Sequence, residues 1–283
     1  MLKLRVLSDN YTLIDQYYRG EPGLCFFLES GGKEILFDLG YSGLFIENAQ
    51  IMDLELSHVD MVVFSHGHND HTSGVKEYIK FLEGRHPLSK AVCRKPSLLC
   101  HPQALAPKYE REESIGMPLS EEDLEKSFSH IFLSASPFWI TPNLVFLGEI
   151  PRENAIENQA LSPLWSTIDY KTKEARKDAL LDDSALVYIS SKGLVVLTGC
   201  AHAGIANIVA YAQEVCGEFS ISSIIGGFHL FTSSAAKGAV SALSKFPIGD
   251  VYPCHCTSLH AKIELSRRFP IYEVGVGFQF LVS

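Results

Sequence analysis

Short apolar segments that end in polar turns recur along the chain, and their lengths predict strands that alternate with helices. The opening segments alternate around a Gly31-Gly32 turn, which is typical of antiparallel strands. A later run, Met-Val-Val-Phe, has the β-branched and apolar character of a buried strand. In the first ninety residues the predicted strands are 2–7, 24–28, 34–37 and 61–64, and the predicted helices are 44–54 and 75–82.

Two polar segments interrupt this pattern, residues 96–129 and 151–182. The first contains a predicted helix, residues 121–128, with Ser120 in the N-cap position. Loops of this length in a compact domain are usually lids or binding loops. We therefore expect a single α/β domain over residues 1–283, with both insertions covering the site.

In the last hundred residues, three predicted strands each end in a histidine-bearing turn that opens a helix. These turns contain His202, His229 and His255. Because the carboxyl ends of parallel strands meet at one edge of a sheet, we expect all three, together with residues 66–71, to share that edge. The other predicted strands are 91–93, 132–135, 144–147, 185–189, 194–197, 223–225, 250–253 and 271–274, and the other predicted helices are 205–215, 234–246 and one that ends at Arg268.

Composition narrows the functional class. The 283 residues are 46% hydrophobic and carry a formal charge of −9, which disfavours nucleic-acid binding but allows a small anionic substrate. No long apolar run or signal segment is evident, so we expect a cytoplasmic protein that does not contact membranes. The seven cysteines are then expected to be reduced thiols.

The densest polar cluster follows the strand at residues 61–64. Three imidazoles and one carboxylate lie within six residues, and Gly67 allows a tight backbone path. Nitrogen and oxygen donors of this kind suit zinc, iron or manganese. The predicted metal ligands in this loop are His66, His68, Asp70 and His71.

The spacing of these four donors favours two adjacent metal ions over one. One alternative is a single metal with Asp70 orienting a ligand, and another is a histidine-rich surface loop. Two divalent ions are therefore expected, with zinc favoured and manganese or iron as alternatives. Asp70 is then both a metal ligand and a candidate catalytic residue.

Further ligands must come from distant turns, because the loop alone does not saturate two metals. We assign His202 and His255 as ligands, with Cys200 as a further candidate. Cys254 and Cys256 have one residue between their thiols, which lacks the two-residue gap of a zinc knuckle, and they are interpreted as wall residues.

Other polar residues have less defined roles. His229 is a candidate proton donor or substrate contact, with a structural histidine as the alternative. Arg152 is a candidate for contact with a phosphate or carboxylate. Asp38 and Asp183, which flank strand segments, are candidates for orienting the ligands, and a turn-capping aspartate is the alternative for Asp38.

The motif at residues 65–71, Ser-His-Gly-His-Asn-Asp-His, resembles the signature of the metallo-β-lactamase superfamily. The resemblance spans nearly the whole chain and implies an αββα sandwich, two mixed sheets flanked by helices, with two metals at one edge. The segments at 198–205, 226–230 and 254–257 resemble the subfamily named for dihydropterin ribofuranosylaminobenzene-phosphate synthase, an enzyme type of methanopterin biosynthesis.

The chain departs from the superfamily pattern at two positions. A bridging aspartate usually follows Thr198-Gly199, where this chain has Cys200. The superfamily's separate histidine before that strand is also missing, and we assign its role to His202.

The residues and the resemblance together imply a metal-dependent hydrolase that acts on a small anionic, phosphorylated substrate. The first alternative is a transferase of the synthase type, in which the metals bind a pyrophosphate leaving group while an arene attacks a pterin methylene. A regulator that binds metal without turnover is a second alternative. A di-iron redox protein and a nuclease are disfavoured, because no flavodoxin-like or nucleic-acid-binding domain is evident.

Overall fold

Two mixed β-sheets stack face to face in the computed structural model, which describes residues 1–89, 93–154, 157 and 162–283. In order across the first sheet, its strands within this part of the chain are β17 (Gln279–Val282), β1 (Leu2–Ser8), β2 (Cys25–Ser30), β3 (Lys33–Phe37), β4 (Met61–Val63), β5 (Ser97–Cys100) and β8 (Ile131–Leu133). Strands from β17 to β3 pair antiparallel, whereas β3, β4, β5 and β8 run parallel.

The second sheet carries the three histidine-bearing strand ends. Its described strands, in order, are β16 (Ile248–Cys254), β15 (Ile221–Gly227), β14 (Gly193–Thr198), β13 (Ala185–Ser190), β10 (Leu144–Phe146) and β9 (Phe138–Thr141). The strands β14, β15 and β16 are parallel, so their carboxyl ends lie at one edge.

A small antiparallel sheet joins the two polar segments. Its described strands are β12 (Ala175–Lys177), β11 (Trp165–Ile168), β6 (Lys108–Glu110) and β7 (Glu113–Ser114). Because β11 pairs with β6, the segments predicted as separate insertions are bound to each other.

The described helices cover the outer faces of the sheets, except for a four-residue helix in the loop after β4. They are α1 (Leu44–Ile51), α2 (Asn69–Thr72), α3 (Val75–Leu82), α4 (Glu121–Ser127), α5 (Ile205–Cys216), α6 (Ser233–Leu243) and α7 (Leu259–Ser266), with a 3₁₀ turn at Pro102–Leu105. The N-cap prediction for α4 is confirmed, since Ser120 Oγ accepts a hydrogen bond from Asp123 N at 3.2 Å.

Alternation along the strands builds three apolar layers. In β2, Phe26 and Leu28 pack between the sheets, while Cys25 and Phe27 face α1 and α3. In β14 the even-numbered side chains pack with α5, α6 and α7, and the odd-numbered ones pack between the sheets. Both faces of each central strand are therefore buried, and the predicted αββα sandwich is confirmed.

Some predicted elements differ from those observed. Instead of a strand at 271–274, Ile271 makes an isolated bridge with Val251. The last strand is β17, because the Gly275–Gly277 bend returns the chain to pair with β1. The segment predicted as an insertion from residue 96 begins with β5, which lies inside the first sheet.

One predicted strand lies largely outside the described residues, and one observed strand was not predicted. The predicted strand at 91–93 falls largely on residues 90–92, which lie outside the described residues, as do residues 155, 156 and 158–161 of the second polar segment. Strand β9 was not predicted, because the prolines at 137 and 142 indicate turns there. Within the described ranges, the helices are too short or too polar to cross a membrane.

Candidate metal centre

The polar cluster lies where the edges of the two sheets meet. The loop that holds His66, His68 and His71 leaves β4 of the first sheet, whereas His202 and His255 follow β14 and β16 of the second. The expectation that all of them share the edge of one sheet is therefore wrong. The centre joins the two sheets, because stacking brings their carboxyl ends together.

The first group of donors consists of three buried histidines, His66, His68 and His202. Each offers a ring nitrogen, and these nitrogens lie within 4.8 Å of one another. Nε2 of His66, Nε2 of His68 and both ring nitrogens of His202 have no hydrogen-bond partner among the described residues. Buried polar atoms are ordinarily paired, so converging unpaired nitrogens indicate a ligand.

The second group combines carboxylate, imidazole and thiol donors: Asp70, His71, Cys200 and His255. His71 Nε2 lies 3.1 Å from Cys200 Sγ and 3.6 Å from Asp70 Oδ2. His255 Nε2 lies 3.3 Å from the same carboxylate oxygen. This mixed donor set suits zinc or iron better than magnesium or calcium.

Asp38 orients one histidine of each group through hydrogen bonds, directly for His71 and through Ser65 for His66. Its Oδ2 lies 2.7 Å from His71 Nδ1 and accepts a 2.7 Å hydrogen bond from Ser65 Oγ. Because the serine has one proton and donates it to Asp38, Ser65 Oγ accepts from His66 Nδ1 at 2.9 Å. The Nε2 lone pairs of both histidines are thereby directed to the site, as in carboxylate–histidine–metal arrangements.

His255 is oriented by the loop that follows β1. Its Nδ1 lies 2.9 Å from Asn10 Oδ1, which accepts the proton and leaves Nε2 facing the second group. The backbone N–H of His255 donates to buried Asp9 at 2.9 Å. Burial raises the pKa of Asp9, and bonds to the N–H groups of Tyr11 and His255 oppose that rise.

The electrostatics of the first group favour neutral imidazoles. Burial lowers the pKa of His68 to about 3, and it lowers the pKa values of His66 and His202 well below the ordinary value. Neighbouring positive imidazoles act in the same direction. A neutral imidazole is the form that binds a metal.

In the second group, burial acts to lower the pKa values of the imidazoles, and the Asp70 carboxylate acts to raise them. Burial acts to lower the pKa of His71, but Asp70 and Asp38 raise it overall. Burial acts to raise the pKa of Asp70, but His71 and His255 lower it overall. Burial, assisted by Cys256, raises the pKa of the Cys200 thiol well above its ordinary value. A metal ion that stabilises the thiolate would overcome that cost.

Glycines allow the close approaches on which the loop depends. A Cβ on Gly67 would lie 2.3 Å from the carbonyl oxygen of Ala104, and one on Gly199 would lie 2.0 Å from Ser65 Oγ. Either side chain would displace the backbone or the serine that orients His66. These two positions therefore require glycine.

Left-handed backbone conformations also concentrate at the centre. The φ angles are +60° at Asp38, +57° at Ala201 and +49° at both His229 and His255. Residues other than glycine rarely adopt this region, and strain of this kind clusters at functional sites.

A buried lysine supports the metal loop. Lys108 is 0% exposed, and its Nζ lies 2.8 Å from both Asp178 Oδ2 and Asp182 Oδ1. The other carboxylate oxygen of Asp182, Oδ2, accepts a hydrogen bond from the backbone N–H of Gly67 at 2.8 Å. Lys108 therefore fixes the peptide between His66 and His68 from the small third sheet.

Two of the remaining predicted site residues, His229 and Asp183, lie next to His202 or its turn. His229 lies beside the first group, with its ring centroid 4.2 Å from that of His202, and burial lowers its pKa to about 4. A neutral ring suits a hydrogen bond to substrate better than proton donation. Asp183 Oδ2 accepts the N–H of Ala203 at 2.8 Å, which holds the His202 turn, and burial raises the pKa of Asp183 to about 7.

Arg152 is turned towards the backbone. Its guanidinium donates to the carbonyl of Leu180 at 2.7 Å. Among the described residues, Arg152 does not line the cavity that contains the two groups. The structure therefore brings His229, but not Arg152, into that cavity.

A cavity of about 450 Å³ opens over the centre. Its wall includes His68, Asp70, Cys200, His202 and His255, and its rim includes the aromatic residues Tyr11, Trp165 and Phe231. The Trp165 ring lies 5.1 Å from the His68 ring and 5.4 Å from the His202 ring. A small substrate would therefore meet metal ligands on one side and aromatic rings on the other.

Sequence reasoning did not identify several supporting residues. Lys108, Asp182 and Asp9 act through hydrogen bonds across distant segments, and no local pattern signals them. Trp165 offers only the signal of an aromatic residue within a polar segment. Lys108 offers no sequence signal of its own, because a lysine within a polar segment is indistinguishable from a surface lysine.

Known proteins resemble this chain in sequence and in fold. Residues 18–91 match the family profile of the metallo-β-lactamase superfamily. The chain is 27% identical, over 95% of its length and 92% of the relative's, to the 7,8-dihydropterin-6-methyl-4-(β-D-ribofuranosyl)-aminobenzene-5′-phosphate synthase of Methanocaldococcus jannaschii.

Solved structures give the same fold. Tm1679, described as a metal-dependent hydrolase of the β-lactamase superfamily, superposes with a TM-score of 0.82 at 26% identity, with complete coverage of both chains. Zn²⁺-bound PqqB from Methylobacterium extorquens has a TM-score of 0.55 at 11% identity, with 99% of this chain and all of that chain covered, and supports the fold alone.

Proposed function

We propose that this chain, which has the metallo-β-lactamase fold, is a metal-dependent hydrolase with two metal ions and a small phosphorylated substrate. The observation that carries the proposal is the pair of adjacent donor groups with unpaired, converging ring nitrogens. His66, His68 and His202 would hold one ion, and Asp70, His71, Cys200 and His255 would hold the other. Zinc suits both donor sets, with manganese or iron as alternatives.

The chemistry divides between the ions and the chain. Divalent ions in such a pair supply Lewis acidity, which activates water near neutral pH and withdraws charge from phosphoryl oxygens. Asp38 holds the ring of His71 in place, and Ser65 does the same for His66. His229 lies where its ring can donate a hydrogen bond to a substrate oxygen, and the Trp165 ring lies 6.0 Å from it, between ring centroids.

Turnover of bis(p-nitrophenyl) phosphate tests the proposal. Protein freed of metal by chelation and reconstituted with zinc, manganese or iron is expected to release p-nitrophenol, and the chelated protein is not. His202→Ala is expected to abolish the release, whereas His260→Ala, an exposed histidine on α7, serves as the control. Absence of turnover with all three metals would contradict hydrolysis.

Group transfer is the second candidate, and the synthase relative supports it through 27% identity over nearly the full length of both chains. The same donor groups would then bind the diphosphate of a pterin substrate while the amine nitrogen of the aminobenzene attacks its methylene carbon, which releases diphosphate and a proton from the amine. Incubation with the pterin diphosphate and the ribofuranosylaminobenzene phosphate, followed by mass spectrometry, distinguishes a joined product from simple hydrolysis.

A further inference from the structure

A second cavity, of about 380 Å³, lies between the start of α5 and the face of α6. Its volume is within the range of small-molecule sites. It is separate from the cavity over the metal centre, but His202 and His229 line both. The two cavities are therefore neighbours that meet at these two imidazoles, whose ring centroids lie 4.2 Å apart.

The floor of the second cavity is apolar. Ile205, Phe228, Leu230 and Ala239 line it, and each is buried. On α6, Ala235, Gly238 and Ala239 follow the spacing of one helical face, and their small size leaves the space open. The geometry suits a compact apolar ring, which would gain from burial against these side chains.

Charge distinguishes the second cavity from the cavity over the metal centre. Glu157 lines the second cavity. Its carboxylate accepts hydrogen bonds from the backbone N–H groups of Ala206 and Asn207 at the start of α5, with N···O distances of 3.0 to 3.1 Å. This carboxylate disfavours a further anion there. An anionic group of the substrate is therefore directed to the metal ligands, and an uncharged group to the space between α5 and α6.

We propose that the cavity between α5 and α6 is a specificity subsite that receives the apolar ring of an organic phosphate ester whose phosphoryl group lies at the metal centre. The inference rests on the proposed function, because it places the phosphoryl group at the two donor groups. The face of α6 that contains Ala235 and Gly238 then determines how large that ring can be.

Two phosphonates that differ only in their organic group test the subsite. Calorimetry of the zinc-loaded protein with phenylphosphonate and methylphosphonate compares a ring with a methyl group on the same anionic head. Phenylphosphonate is expected to bind at least about tenfold more tightly, because only its ring can fill the second cavity. Equal affinities would overturn the proposal.

Substitutions on α6 then locate the ring. Ala235→Trp and Gly238→Leu are each expected to fill the cavity and remove the preference for phenylphosphonate, while the affinity for methylphosphonate is unchanged. Lys237→Trp, at an exposed position of the same helix that does not line the cavity, is the matched control and should retain the preference.

The remaining outcomes also decide the question. If folded Ala235→Trp and Gly238→Leu proteins keep the preference, the ring binds elsewhere and the subsite is wrong. If neither phosphonate binds to the zinc-loaded wild type, the phosphoryl site itself fails, and the subsite fails with it. A wild type that binds both phosphonates equally retains the phosphoryl site and loses only the subsite.

Discussion

At the scale of single residues, Asp38 links the two donor groups through one carboxylate. Its Oδ2 contacts both His71 Nδ1 and Ser65 Oγ, and its backbone has a left-handed conformation that asparagine also tolerates. Its position at the end of a strand made it a candidate orienter from the sequence. Its partners could not be predicted, because they depend on how the loop after β4 folds back.

Asp38→Asn is expected to weaken zinc binding by about 10- to 100-fold, which is typical when the hydrogen-bond partner of a metal-binding histidine is changed. The amide has one acceptor oxygen, so it cannot replace both Oδ2 and Oδ1, which accepts the backbone N–H of Ser65 at 2.7 Å, while the backbone is preserved. Competition with a chromogenic chelator measures the affinity. Asp169→Asn, in the turn between β11 and β12, is the control, and equal zinc affinities for both variants would refute the role of Asp38.

Cys200 is the residue that most separates this chain from the superfamily pattern. Cobalt-substituted protein is expected to show a thiolate-to-cobalt charge-transfer band in the near ultraviolet, because the Cys200 thiol lies 3.1 Å from the His71 ring in the second group. Cys200→Ser should remove the band, and Cys216→Ser, at the end of α5, should retain it. A band that survives Cys200→Ser would exclude this thiol as a ligand.

At the scale of elements, the sequence predicted the helices and the histidine-bearing strand ends better than the accessory strands. Strands β14 and β15 are largely apolar runs that end at glycines, and β16 ends directly before His255, so their histidines could be placed at one edge. Strands β6 and β11 are short and polar, and they form because they pair with each other across the chain. Local propensity does not reveal pairing of that kind.

The third sheet influences the centre through Lys108. Lys108→Met is expected to destabilise the fold by about 3–5 kcal/mol, because it leaves the buried carboxylates of Asp178 and Asp182 without their cation. Urea denaturation measures the change. Lys126→Met removes an exposed pair with Glu122 and should change the stability by less than about 1 kcal/mol.

The same substitution should change the dependence of stability on pH. Burial acts to raise the pKa of Asp182, but Lys108 lowers it below its ordinary value of 3.8. In the wild type, the contribution of Asp182 is therefore present above that value and is lost on further acidification. Without Lys108 the pKa of Asp182 should rise, so the deficit of Lys108→Met should shrink as the pH falls. A deficit that grows on acidification would contradict this account.

At the scale of the whole molecule, the metal centre connects the two halves of the sandwich. The sequence predicted the sandwich and the donor residues, but it assigned them to one sheet edge. The division into two groups depends on the packing of one sheet against the other, and no local pattern encodes it. His202 and His66 share a group, for example, although they follow strands of different sheets.

Metal ions bound across this junction should stabilise the fold. At a zinc concentration about 100 times the dissociation constant, linkage predicts about 2.7 kcal/mol, which corresponds to a rise in Tm of about 5–10 °C. Thermal denaturation of chelated and reconstituted protein measures the shift. An unchanged Tm would indicate that metal does not bind the folded centre.

Metal content per chain tests most directly the claim that the two donor groups each hold one ion. Elemental analysis of reconstituted and desalted protein should give about two zinc ions for the wild type and for His260→Ala, and about one for His68→Ala, which disrupts only the group of three histidines. A His68→Ala protein with the same metal content as the wild type, or a wild type that retains none, would contradict the account.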